Sequence, residues 1–167
     1  AERLRYGIIG TGMMGVEHIN NLLHVEGAEI TALADPDPGS REAAAALVPG
    51  AVVHTDHRAM IADGLVDAVV VASPNMTHVD ILRDLLATDL HVLVEKPLCT
   101  TVADCRTVID LAAGREALTW VGLEYRYMPP IARLITEVDG GAVGTPRMIA
   151  IREHRYPFLA KVGNWNR

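Results

Sequence analysis

Gly10-Thr11-Gly12-Met13-Met14-Gly15 matches the pattern G-x-G-x-x-G, with an apolar run before it and a helical pattern after it. Glycines at that spacing have separate tasks. Gly10 permits a tight turn, Gly12 lets the backbone approach a pyrophosphate, and Gly15 lets the helix pack closely on the strand. Thr11, Met13 and Met14 contribute backbone and bulk to the same loop, and no thioether chemistry is read into the methionines. The free N–H groups and positive dipole end of the following helix receive the phosphates. Asp35 stands about twenty residues after Gly15, where a carboxylate accepts both ribose hydroxyls of an adenosine. A 2′-phosphate would meet that carboxylate as a like charge, so NAD is expected ahead of NADP, with Arg41 nearby as the qualifying residue. The competing account of the same residues is a structural glycine turn with Asp35 capping ahead of Pro36.

Dinucleotides lie across the carboxyl ends of parallel strands, so the residues just after each strand are the ones in reach of a ligand. After the fourth comes Ser73-Pro74-Asn75-Met76-Thr77-His78, after the fifth Glu95-Lys96-Pro97, and after the sixth Glu124-Tyr125-Arg126-Tyr127. Pro74 and Asn75 suit a turn and helix N-cap whether or not they also line a ligand. His78 falls in the first turn of a helix, where the dipole favours neutral imidazole. It is read either as a contact to ligand or as a plain surface histidine. Arg126 is open to two readings as well, a ligand contact or a structural ion pair. His18, one turn past the glycine loop, is read as a packing or solvent residue.

The elements that position these groups alternate along the chain. Strands are expected at Leu4–Ile9, Glu29–Ala34, Ala51–His54, Asp67–Ala72, His91–Glu95 and Leu118–Leu123. Asp67-Ala68-Val69-Val70-Val71-Ala72 is apolar without alternation, as expected where helices cover both faces of a parallel sheet. Helices are expected from the glycine loop to about Val25, then at Ser40–Leu47, Ala59–Ala62, Thr77–Ala87 and Thr101–Ala113. Their buried stripes are read as Ile19, Leu22 and Leu23 in the first, Val79, Leu82 and Leu86 in the fourth, and Val102, Cys105, Ile109 and Ala112 in the fifth. Strands and helices in this order, with short links, make an α/β fold with a doubly wound parallel sheet. The pattern changes after residue 124. Pro129 and Pro130 open a helix striped by Ile131, Leu134, Ile135 and Val138, and Asp139-Gly140-Gly141 closes it. Thr145–Tyr156 reads as a long strand of mixed face for a half-solvated antiparallel sheet, which a single strand cannot form. His154 and Arg155 lie on it, and the chain is expected to be cut short within its second domain.

Composition bounds the rest. The chain has 167 residues, half of them hydrophobic and 22% charged, enough for one full core. A net charge of −6 argues against nucleic acid as partner. No apolar run approaches the roughly 18 residues of a membrane span, and the N-terminus lacks a secretory signal pattern, so a cytoplasmic protein is expected. Cys99 and Cys105 are the only cysteines. Read as members of one helix six residues apart, they point in different directions and serve as small apolar residues, not as a disulfide or metal site.

Taken together, Gly10-Thr11-Gly12-Met13-Met14-Gly15, Ala34-Asp35-Pro36, Ser73-Pro74-Asn75 with His78, Glu95-Lys96-Pro97 and Tyr125-Arg126-Tyr127-Met128-Pro129 resemble the Gfo/Idh/MocA family of oxidoreductases. Glu-Lys-Pro is the most specific of these pieces. The resemblance covers nearly the whole chain and only the N-terminal half of a typical member. It implies a Rossmann NAD-binding domain over residues 1–124. Residues 125–167 begin an α+β domain for substrate and oligomerisation. It also implies that Lys96 is a catalytic or substrate-positioning lysine. Glu95 would face the cofactor side, and Pro97 would fix the turn, often through a cis Lys-Pro bond. Ser73, Pro74 and Asn75 would line the cofactor near its phosphates and nicotinamide ribose.

The implied reaction is hydride transfer between a sugar, inositol or related polyol and NAD, in a protein whose longer form is a homo-oligomer. Such chemistry needs a base for the hydroxyl proton while hydride leaves the same carbon. A partly desolvated lysine serves either as that base or as a charged group polarising the substrate oxygen. The family draws a further acid–base pair from beyond the segment present here, so no catalytic histidine is transferred. The rivals are an NAD-dependent glycoside hydrolase of the same family, a non-catalytic NAD-binding sensor, and a methyltransferase on a similar sheet.

Overall fold

A computed structural model describes residues 3–154. Six strands, β1 (Leu4–Ile9), β2 (Ala28–Ala34), β3 (Val52–His54), β4 (Ala68–Val71), β5 (His91–Glu95) and β6 (Thr119–Gly122), form one sheet in the order β3-β2-β1-β4-β5-β6. Every pairing is parallel, with Ile9 opposite Ala34 on one side and Val71 on the other. Five helices, α1 (Met13–Leu22), α2 (Pro38–Leu47), α3 (His57–Ala62), α4 (His78–Leu86) and α5 (Val102–Ala112), make the crossovers. Strand order reverses between β1 and β4, so their chains leave the sheet in opposite directions and open a crevice at the carboxyl ends. The sequence-predicted α/β doubly wound sheet is the fold observed.

The strands bury both faces. Ile8, Leu33 and Val70 pack with Ile19, Ala44 and Val48 on the side of α1 and α2. Their neighbours Ile9, Ala34, Val69 and Val71 face the other way, against Met60, Ile81, Leu82, Leu85 and Val108. This period-two division within apolar runs explains why β4 shows no alternation in hydropathy. Gly7 is confined for the same reason: a Cβ there would lie 2.9 Å from the Met60 methyl and 3.0 Å from Val66.

Three helix readings need correction. In α1, Ile19 is fully buried and Leu22 packs beside it, but Leu23 is 56% exposed because the helix ends at Leu22. In α5 the buried stripe is Cys105, Val108 and Ala112, while Val102 and Ile109 are 70% and 61% exposed. The two stripes share Cys105 and Ala112, and apolar residues at both 108 and 109 leave the periodicity ambiguous by one position. Cys99 lies in the loop before α5, not on it, with Cys105 nearby. Burial and that neighbour push the Cys99 thiol up to about 11, so it behaves as a small apolar group at neutral pH.

Contacts divide the chain after Gly122, with a second unit beginning at Leu123. Its described part holds a 3₁₀ turn (Glu124–Tyr127) and helix α6 (Pro129–Asp139), opened by two prolines whose missing N–H groups a first turn tolerates. No residue of α6 is buried. The expected strand from Thr145 is not formed over residues 145–154, and Arg155 and Tyr156 lie outside the described residues. A strand requires a partner for its ladder, and none of the described residues supplies one here.

Candidate functional site

The carboxyl end of the β1–β4 crevice gathers most of the singled-out residues. Gly10 leaves β1 with φ +87°, and a Cβ on it would lie 2.5 Å from the Ser73 backbone nitrogen. Only glycine lets the two loops meet this closely. Gly15 is equally confined, since a Cβ there would fall 2.0 Å from the Gly10 carbonyl oxygen. Gly12 differs: it caps α1 with no side-chain hydrogen bond, and a Cβ on it meets nothing within 4 Å. The N-terminus of α1 is therefore open above Gly12, with Met13 exposed and Met14 partly buried.

Asp35 ends β2 beside this loop. Its Oδ2 accepts the Thr11 N–H at 2.6 Å and its Oδ1 the Asp37 N–H at 2.8 Å. Asp37 in turn caps α2 by accepting the Ser40 N–H at 2.7 Å, with Pro38 pre-set for the first turn. Arg41 donates to the carbonyl oxygens of Asp35 and Pro36 at 2.7 and 2.8 Å, so its charge is fixed at the end of β2. Thr11 is buried, and among the described residues its hydroxyl finds no hydrogen-bond partner. An open helix N-terminus, a glycine with free space above it and an anchored carboxylate fit a dinucleotide. The orphaned hydroxyl offers it one further polar group.

Ser73 follows β4. Its hydroxyl accepts from Thr77 at 2.8 Å, and Pro74 and Asn75 lead through a 3₁₀ turn (Asn75–Thr77) into α4. His78 corrects the expectation of a surface or ligand-contacting histidine. It is fully buried, with Nδ1 3.0 Å from the Pro97 carbonyl oxygen and Nε2 3.0 Å from that of Ser73. The fully buried ring lies between the loop after β4 and the loop after β5, within hydrogen-bond distance of a carbonyl oxygen of each.

Glu95 ends β5 and Lys96 follows, exposed, with a cis peptide bond to Pro97. Glu95 Oε2 accepts the Lys96 N–H at 3.2 Å, and Oε1 meets His18 Nε2 at 2.8 Å. Burial raises the Glu95 carboxyl, but the hydrogen bond and charge of His18 together with the N–H and charge of Lys96 outweigh it. The group stays below the ordinary carboxylate value and ionised at neutral pH. His18 is the residue that sequence reasoning missed. Its only signal was a position three residues after Gly15, on the helix that opens at the crevice. Arg126 stands exposed on the 3₁₀ turn of the second unit.

A family profile described as an oxidoreductase family with an NAD-binding Rossmann fold matches residues 4–123. The chain belongs to the Gfo/Idh/MocA family. Inositol 2-dehydrogenase 1 of Saccharopolyspora erythraea is 38% identical over 150 residues, 87% of this chain and 44% of that protein. The crystal structure of myo-inositol dehydrogenase from Lactobacillus casei in complex with NAD(H) and myo-inositol superposes with a TM-score of 0.81. It is 33% identical, covering 86% of this chain and 43% of its own. The WlbA dehydrogenase from Bordetella pertussis in complex with NADH and UDP-GlcNAcA is 25% identical, with a TM-score of 0.79 over 86% of this chain and 44% of that one. The chain thus spans less than half the length of these Gfo/Idh/MocA relatives. Among the described residues, no helix is long and apolar enough to cross a membrane.

Proposed function

We propose that this chain binds NAD through its glycine loop and Asp35, and that it serves a dehydrogenase acting on a CH–OH group of inositol or a related sugar. The observation that carries the reading is the open N-terminus of α1 above Gly12, set beside a carboxylate fixed at the end of β2. Backbone N–H groups at Gly12, Met13 and Met14 hold the pyrophosphate. Asp35 uses its remaining lone pairs for the adenosine ribose hydroxyls and disfavours a 2′-phosphate, which makes NAD the preferred form. Ser73, Pro74 and Asn75 line the same crevice from β4. The bound dinucleotide supplies the hydride acceptor or donor.

Lys96 belongs to the nicotinamide end, at the tip of β5, where its ammonium or amine assists movement of the hydroxyl proton of the substrate. Arg126 and the unit from Leu123 onward belong to a substrate and oligomerisation domain in this reading. The names of the relatives support inositol or a sugar derivative as substrate class. A cytoplasmic homo-oligomer is the form in which the longer protein would work.

The direct test is a titration of NADH and, in parallel, NADPH into the protein, followed by nicotinamide fluorescence. Saturable binding that favours NADH supports the reading. Preference for NADPH overturns the role given to Asp35, and absence of binding to either overturns the site.

A further inference from the structure

The turn that carries Lys96 is held from two sides. From below, the buried ring of His78 reaches the carbonyl oxygens of Pro97 and Leu98 at 3.0 and 3.3 Å. From above, Glu95 spans the distance between α1 and the turn, with Oε1 on His18 and Oε2 on the Lys96 N–H. Both partners of the upper pair are well covered, the side chains of His18 and Glu95 being 22% and 13% exposed. β6 leaves the carboxylate its space: a Cβ on Gly122 would lie 3.5 Å from Glu95 Oε1 and 3.4 Å from the Val94 carbonyl oxygen. A carboxylate with both oxygens engaged does not rotate, so the direction of the Glu95–Lys96 peptide is set by an imidazole 77 residues earlier in the chain.

The same imidazole sits on the helix whose first turn faces the phosphates. Gly15 and the fully buried Ile19 pack the same helix on the sheet. What His18 adds is a link from the phosphate-binding helix to the backbone under Lys96.

We propose that His18 is a positioning residue for the nicotinamide end of the site, acting through Glu95 to hold the backbone that carries Lys96. The proposal rests on NAD being the ligand. It predicts an effect confined to the half of the dinucleotide that reaches β5, which a merely structural pair would not produce.

The test is calorimetric titration of the wild-type chain, His18→Ala and His18→Gln with NADH and with ADP-ribose, which shares every group of NADH except the nicotinamide. Loss of one hydrogen bond to a charged group corresponds to about tenfold in affinity. In His18→Ala, NADH is expected to bind about tenfold more weakly and ADP-ribose within about twofold of wild type. In His18→Gln, whose Nε2 has similar reach to that of the imidazole, most of the NADH affinity returns. Glu95→Gln keeps the side-chain length, removes the charge and is expected to weaken NADH in the same selective way; it replaces His18→Ala should that variant not fold. Unchanged NADH affinity, or equal weakening of both ligands, overturns the positioning role and leaves NAD binding intact. A wild-type chain that binds neither ligand overturns NAD binding itself and this proposal with it.

Discussion

Replacing Gly15 by alanine would place a methyl carbon 2.0 Å from the Gly10 carbonyl oxygen and 2.9 Å from its carbon. Gly10 has nowhere to recede, since its φ is +87° and its own Cβ position is filled by Ser73 backbone. Real Cβ atoms do not come within 3.0 Å of such neighbours, so α1 must retreat by about 1 Å. Overpacking against flexible side chains costs roughly 1–3 kcal/mol, and backbone on both sides puts this case near the upper end. For a chain of this size that is a fall in melting temperature of roughly 6–12 °C. Gly12→Ala is the matched control: it meets nothing within 4 Å, and its φ of −69° suits any residue. It should lose at most about 1 kcal/mol, from a poorer helix cap. Its methyl occupies the space in front of the α1 N–H groups, so NADH affinity should fall by about 100-fold or more. Thermal melting by circular dichroism and NADH titration on both variants separate the two effects. The reasoning is refuted if Gly12→Ala binds NADH like wild type, or if Gly15→Ala melts within about 2 °C of it.

Asp35→Asn removes the charge facing a 2′-phosphate while keeping one acceptor oxygen for the loop, so NADH affinity should drop about tenfold and the gap to NADPH should narrow in parallel titrations. Arg5 donates from Nε, a guanidinium nitrogen and its backbone N–H to Asp67, and these bonds hold the carboxyl at about 2. Because the folded-state value is depressed from 3.8, the contribution is complete above about pH 4 and is lost as pH falls towards 2. Asp67→Asn should therefore cost about 1 kcal/mol at pH 7 in urea unfolding, kept small by solvent screening of two partly exposed side chains, and almost nothing near pH 2. Thr101 accepts the Asp104 N–H at 3.1 Å and donates to its carboxylate at 2.7 Å, closing the first turn of α5. Thr101→Ala should lower stability by about 1 kcal/mol, read as a shift in denaturation midpoint at unchanged slope.

Local physics made most of the fold legible. A glycine that must turn and an apolar strand leave marks within a few residues of one another, and β1, β5 and the glycine loop were readable from such marks, whereas α2 begins at Pro38, two residues ahead of the expected Ser40, because Asp37 caps it. Helix faces were less secure where two adjacent residues were both apolar, as at Val108 and Ile109. The site divided along the same line. Gly10, Gly12, Gly15 and Asp35 carry their reasons in short-range spacing. The partnership of His18 with Glu95 and the burial of His78 exist only after the crossovers bring β5 and its following loop beside α1 and α4. A single sequence holds no local trace of a contact made by closing a loop of that length.

The two backbone N–H groups on Asp35 also bear on conformational entropy. A free aspartate side chain would have to surrender its rotamers when a ribose arrives, whereas this one has surrendered them to Thr11 and Asp37 during folding. Recognition at the β2 tip is thus preorganised, and its geometry is as rigid as the loop itself. The same rigidity makes the position intolerant of homologous change. Glutamate keeps the charge, but one added methylene moves the carboxylate out of register with both N–H groups, so conserving charge here does not conserve the site.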